Sequence, residues 1–379
     1  MSTDNKRHRS ADNEPSGEYP NKSLRRDDFL DSSSLASLLD FSALTSHSDI
    51  NIQFGQLADT LICGHHVLLK HDGREHKFDI LELECYLQKS GYHEDPFTHG
   101  ADEQKYSGRW YFHRAPTSSA NSERKVTAAG GYRGGTRKGL DLTLGGPITS
   151  SYFESSNVDT SSTRLRGGVL FRTLRRSSDS TVISGPSLLV DEILRLSKAS
   201  NISELVEQRW GRNTTAFPRA STSGSTSTSL CLQPNAPGVK PIIYCSPRVG
   251  LDLSNPCVTD SPTDPRVIYI SKPYRYFVHP HLLTSNGRGH TFLGIYRTCL
   301  HDSAEDTLKE IIRRSGLKEK TVLKYLADYK AGFEHGALHS FIGSAGKGAS
   351  ASPATYLKMM GTLERISAQD AHEPTDFEQ

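Results

Sequence analysis

The chain has 379 residues, a formal net charge of +2 and a hydrophobic content of only 35%. Such a length suits one large domain or two ordinary ones, and the low apolar content leaves much of the chain outside any core. The near-neutral balance permits nucleic-acid binding without demanding it, because a dedicated DNA-binding domain carries a marked basic bias. Basic clusters occur locally, at Lys6, Arg7 and Arg9, at Arg25 and Arg26, from Arg133 to Lys138, and at Arg172, Arg175 and Arg176. A solvated face is the ordinary reading of each.

The six cysteines (Cys63, Cys85, Cys231, Cys245, Cys257 and Cys299) form no C-x-x-C pair. Their spacing argues against a structural zinc site and against a small disulfide scaffold, so no metal and no cofactor are expected. No apolar run approaches the roughly 20 residues that span a bilayer. No N-terminal apolar core suggests a signal peptide, so a soluble, intracellular protein is expected.

In chain order, residues 1–48 are polar, charged and without periodicity, and are read as a disordered segment. Order is expected from Asp49. A helix over 53–61 leads to a strand over 67–70, a turn at Asp72 and Gly73, and a returning strand HKFDILELECYL, which together make a hairpin. An aromatic strand is predicted at 109–113, an alternating strand at 140–144 and an apolar strand at 169–174. SGPSLLVDEILRLS predicts a helix with Ser184 as cap and Pro186 in its first turn. Strands follow at 242–244 and 274–278. A helix with Ser303 as cap and Gly316 as stop and a further helix make a pair over 301–335 that caps the core. Low-complexity insertions are expected near 115–131, 147–165 and 211–240, and residues 336–379 read as a disordered tail. Scattered strands with no regular βαβ order indicate an α+β class: a single mixed domain over 49–300 with a mainly antiparallel, curved β-sheet core flanked by helices.

Within FDILELECYLQKSGYHEDPFTHG, two carboxylates interrupt a strand that then breaks into a histidine-bearing loop. Taken in order, LADTLICGHHVLLKHDG, ILELECYL, HEDPFTHG, GGVLFRTL, SGPSLL, RVG and KPYRYFV resemble passages of the methylpurine (alkyladenine) DNA glycosylase family. Seven such passages in sequence cover residues 57–278 with insertions. The resemblance implies an enzyme of base excision repair that hydrolyses the N-glycosidic bond of alkylated or otherwise damaged purines in duplex or single-stranded DNA. It also implies a monomer without cofactor or catalytic lysine. Glu84 falls where the family places the group that activates water, a role suited to a carboxylate near an oxocarbenium-like centre. Arg172 would orient that carboxylate and the water. The Val249 carbonyl would be a third contact to the water, and Tyr86 and His99 would hold the extruded base. Glu82 is read as the structural carboxylate of the two, facing away, and His93 as an ordinary surface histidine.

The chain departs from the family where a tyrosine-rich strand normally supplies a wedge into the DNA stack. Here GRWYFHR is followed by an insertion and then YRGGTRKGLDLT. Tyr132 is the candidate wedge, and Asp141 or Thr143 stands in place of an asparagine that excludes certain bases. Arg133, Arg137 and Lys138, among glycines, are candidates for phosphate contacts. The altered wedge leaves two alternatives: a hydrolase of another N-glycoside, or a nucleic-acid-binding relative without catalysis. The basic KRHR cluster is compatible with a nuclear protein.

Overall fold

A computed structural model describes residues 32–115, 131–148, 164–218, 228–283, 287–303, 306–349 and 352–370. Helix α1 (Ser32–Leu38) precedes the longer α2 (His47–Gly64), whose Ser46 cap accepts the Asp49 N–H. Strand β1 (His65–His71) turns through Asp72 and Gly73, both at positive φ, into β2 (Arg74–Lys89). This two-residue connection matches the right-handed twist of the hairpin it closes. There follow β3 (His93–Glu94), β4 (Trp110–Phe112), β5 (Leu140–Leu144), β6 (Leu165–Arg176) and β7 (Val182–Ser184). Next come α3 (Pro186–Leu196), β8 (Thr228–Pro234), β9 (Tyr244–Ser246), α4 (Pro265–Ile270) and β10 (Arg275–Phe277). The described chain closes with α5 (Arg288–His301), α6 (Thr307–Ser315), α7 (Glu319–His335) and α8 (Pro353–Asp370).

The strands form one antiparallel sheet in the order β4-β5-β6-β2-β1-β8, with β10 beside the second half of β2 and β9 beyond it. The fold is α+β with a curved, open sheet. Strand β2 is its spine. Where β2 meets β6 the register is irregular around Glu82, and the phase of burial changes there: Ile80 and Leu81 are both core residues. Such irregularities re-aim side chains.

Beyond that point the two faces differ. Leu83, Cys85, Leu87, Val169, Phe171, Leu142, Trp110 and Phe112 belong to a core shared with Phe54, Leu57 and Leu61 of α2. On the other face the cross-strand rows are Arg275–Glu84–Leu170–Asp141–Tyr111 and Tyr86–Gly168–Thr143. A second apolar cluster joins Phe277 and Tyr244 to α5–α8 through Phe292, Ile311, Tyr325, Tyr356 and Met360. This cluster fixes the C-terminal helices against the edge of the polar face.

Several expectations are corrected. Residues 32–48 are not without order, since α1 lies there and Leu35, Leu39 and Phe41 are buried. The tail expected from 336 carries α8, and the expected insertion at 211–240 includes β8, paired along the whole of β1. Gly185, not Ser184, is the N-cap of α3, and Asp306, not Ser303, caps α6 by accepting the Lys309 N–H. The N-terminal segment before residue 32, with KRHR, and most of the expected insertions at 115–131 and 147–165 fall outside the described residues.

Candidate active site

Strand geometry puts Glu82, Glu84 and Tyr86 on one side of β2, because residues two apart share a face. The expectation that Glu82 faces away is therefore wrong, and both carboxylates meet Arg172 of β6. Arg172 Nε donates to Glu82 Oε1 at 3.0 Å and lies 3.4 Å from Glu84 Oε1. Its Nη1 stands 3.5 Å from Glu84 Oε2. Glu82 also accepts from Arg275 Nε at 2.6 Å and from the Thr173 hydroxyl at 2.5 Å. Burial alone would raise the Glu82 pKa, but Arg275 and then Arg172 outweigh it and lower the group to about 2. Burial also works against the charge of Arg172, and the carboxylates of Glu84 and Glu82 reverse that effect and raise its pKa. The cluster is thus two arginines balancing two carboxylates, a requirement for keeping charge inside a protein.

Glu84 is fully buried. Its Oε1 accepts the Val249 backbone N–H at 2.6 Å, and its Oε2 accepts the Tyr86 hydroxyl at 2.9 Å. Val249 thus meets Glu84 through its N–H, a contact separate from the one to water that the resemblance implies for its carbonyl. Tyr86 is half-buried. Its phenol pKa is driven well up by burial and then by the Glu84 carboxylate, so it stays a hydrogen-bond donor. The Arg248 guanidinium lies 4.3 Å over the Tyr86 ring, and its Nη1 donates to Asp95 Oδ2 at 2.5 Å inside the protein. This buried ion pair thus holds its cation against the ring.

Helix α5 reaches the same place. Thr291 accepts from Arg275 Nη2 at 2.9 Å. His290 is buried and stacks on Tyr356 of α8 at 3.5 Å between ring centroids. Burial, and then Arg275 and Arg172, push the His290 pKa well down.

Two strands across the face, Asp141 Oδ1 bonds His113 Nε2 at 3.0 Å. His99 lies 4.4 Å from the His113 ring and 6.5 Å from Tyr111. Burial and then His113 lower the His99 pKa to about 4, so the imidazole is neutral at physiological pH. Thr143, the other candidate for the position of the asparagine, is fully buried and accepts the Arg109 N–H. Asp141 is thus the residue that presents a carboxylate.

The remaining candidates behave differently. The Tyr132 ring packs 3.7 Å beneath the Arg114 guanidinium and edge-on against Phe112, so it is tucked in, not projecting as a wedge. Arg133 Nε donates to the Arg114 carbonyl at 2.8 Å, and Lys138 is ion-paired with Asp191. Arg137 is exposed and, with Tyr132 and Arg133, lines a shallow concavity of about 370 Å³. A larger concavity, about 500 Å³, lies at the β1–β2 turn between Arg74, Arg176, Arg195 and Lys198. Neither is lined by Glu84, Tyr86 or Arg172, and the Glu84 carboxylate is closed off from solvent in this conformation.

His93 is corrected as well. It is completely buried, bonds the Leu87 carbonyl at 2.8 Å and the Tyr274 hydroxyl at 2.9 Å, and is held to a pKa of about 4 chiefly by burial. Arg275, Arg248, Asp95, His113 and His290 were not singled out from sequence. Arg248, Asp95 and Arg275 do sit inside the RVG, HEDPFTHG and KPYRYFV passages, which is the signal that could have found them.

Among the described residues no group of three or more His, Cys, Asp or Glu is arranged to hold a metal ion. None of the helices there is long and apolar enough to cross a membrane. No protein-family model matches the chain. Over 160 residues it is 31% identical to an uncharacterized protein of Acanthamoeba polyphaga mimivirus, a match that covers 42% of this chain and 65% of the viral one.

Proposed function

We propose that the chain is a monofunctional DNA N-glycosylase that hydrolyses the bond between deoxyribose and an alkylated or otherwise damaged purine. The observation that carries this reading is the buried Glu84 carboxylate. It is held by Arg172, the Val249 N–H and Tyr86, on the same sheet face as an imidazole and carboxylate wall. The ordered resemblance to methylpurine DNA glycosylases supports it too, since Glu84, Tyr86, Arg172 and Val249 come from the resembling passages.

In this mechanism Glu84 accepts a proton from water as the water oxygen bonds to C1′. The glycosidic bond breaks with its electron pair leaving on the base nitrogen. Arg172 and the Val249 N–H fix the carboxylate so that its negative charge stands beside the positive charge developing on the sugar. Tyr86 and His99 supply flat surfaces for the base. Base extrusion costs a few kcal/mol and accompanies the opening that Glu84 requires.

A second reading, hydrolysis of another N-glycoside, is favoured by one observation: Tyr132 is engaged with Arg114 and Phe112, where a duplex-wedging residue would project. Incubation with methylated duplex DNA, the same DNA as single strand, and N7-methylguanosine separates the two. Methylpurine released from DNA, leaving an unbroken backbone, supports the first reading. Release from the nucleoside alone supports the second, and release from none of the three contradicts both.

A further inference from the structure

We propose that the concavity of about 500 Å³ at the β1–β2 turn is a binding site for a ligand carrying linked phosphate groups. It stands apart from the candidate active site: on β6, Arg176 lies six residues past Leu170, the partner of Glu84, about 20 Å along the strand. Three segments converge to line it. The turn through Asp72 and Gly73 sets Arg74 at the first position of β2, β6 ends on Arg176, and the last turn of α3 supplies Arg195 and leads to Lys198. Four cations from separate stretches of chain thus face one hollow. Stabilisation of the C-terminal end of α3 would account for Arg195 and Lys198, but not for Arg74 and Arg176, which belong to strands.

Acids offset part of this charge. Glu192 accepts from Arg195 Nε at 2.7 Å and is ion-paired with Arg176, whose Nη1 donates to Asp179 at 2.7 Å. Lys198 Nζ lies 3.6 Å from Asp72 Oδ2, which also stands 3.1 Å from His71 Nε2. Three carboxylates against four cations leave one positive charge over. Among the described residues Arg74 makes no ion pair, and the buried Nε of Arg176 has no hydrogen-bond partner. Arg195 meets Glu192 through Nε and Nη2 and leaves Nη1 over. His76, on the same wall, feels the resulting field. Burial and then Arg176 lower its pKa below 6.5, and Arg195 and Arg74 add to that against Glu192. A positive potential in a hollow draws an anion, and guanidinium forks match phosphate oxygens in pairs. The hollow is larger than a single phosphate, so the ligand is a chain of phosphates: a free polyphosphate compound or the backbone of a nucleic-acid strand.

The test is a binding measurement and does not depend on base release. Tripolyphosphate and a single-stranded oligonucleotide are each titrated into the full chain by calorimetry. The variants are Arg74→Ala, Arg74→Ala combined with Arg195→Ala, and Lys330→Ala as a control on the exposed surface of α7. Arg74 and Arg195 are exposed, and thermal unfolding checks that each variant keeps its fold. The wild type should bind tripolyphosphate, the double variant about tenfold or more weakly, and the control like the wild type. A nucleic-acid strand as the source predicts that the oligonucleotide binds too, with a salt dependence whose log–log slope falls by about 0.7 for each cation removed. Oligonucleotide binding unchanged by the variants, beside tripolyphosphate binding that they weaken, assigns the site to a free polyphosphate compound. Absence of tripolyphosphate binding by the wild type overturns the inference. So does equal binding by a folded double variant, and either result leaves the reading of Glu84 standing.

Discussion

Arg172 is the residue on which the site turns, because its guanidinium, alone among the described side chains, is ion-paired with both carboxylates. Replacing it with alanine leaves Glu82 with Arg275 and Thr173, but strips Glu84 of its cation. Removing one partner from a buried ion cluster costs about 3–5 kcal/mol. Arg172→Ala is therefore expected to lower the melting temperature by several degrees, at roughly 2–4 °C per kcal/mol or less for a chain of this size, measured by calorimetry, and Arg172→Lys by less. Glu84, Tyr86, Val249 and Arg172 could be assembled from sequence because they lie in short passages that keep their order along the chain. The face of Glu82 was legible too, since residues two apart in a strand share a face; its partners Arg275 and Thr173, distant in sequence, were not. His93 was misread because burial depends on what packs against it, here Phe54, Tyr269 and Tyr274 from three separate segments.

At the scale of elements, the hairpin through Asp72 and Gly73, the alternation of β5 and the apolar run of β6 were legible because their patterns are local. Helix α8 was not. Its packing on α7 relies on small residues, not on a recognisable apolar stripe. A Cβ at Gly332 would stand 2.0 Å from the Lys358 carbonyl oxygen, and one at Gly361 would stand 2.2 Å from that of Tyr329. Both backbones approach too closely for any side chain at these points. Gly361→Val is expected to destabilise the protein by about 1–3 kcal/mol or more, the range for overpacking, read as a lowered unfolding midpoint in urea. Through Tyr356 and His290, loosening α8 should also slow any base release, an effect absent from a surface substitution such as Lys330→Ala.

For the whole molecule, acid stability follows from the buried titratable groups. His93 has its folded-state pKa lowered from 6.5 to about 4, mainly by burial. The unfolded chain takes up that proton more readily, so the stability it contributes is complete above pH 6.5 and lost as pH falls toward 4. Glu82, lowered from 4.5 to about 2 against the opposing effect of burial, contributes stability that is complete above pH 4.5 and lost on descent toward 2. Two acid steps are expected in the stability profile, the upper one shared by His93, His99 and His290, whose pKa values burial lowers. His93→Gln should reduce the upper step without removing it and leave the lower, as read by urea unfolding at successive pH values. The α+β class was legible from the scatter of strands and helices. The extent of the C-terminal layer was not, since α5 and α8 join the core through tertiary contacts with residues distant in sequence, among them Tyr244, Ile270 and Phe277.

The water-activating role proposed for Glu84 is measured by single-turnover release of methylpurine by Glu84→Gln beside the wild type. The glutamine keeps the shape of the side chain and removes the base. A fall of about 10²-fold or more in rate with the fold retained is expected, the scale of a lost general base. A folded Glu84→Gln that releases methylpurine within about threefold of the wild-type rate would contradict it, since general-base loss costs far more.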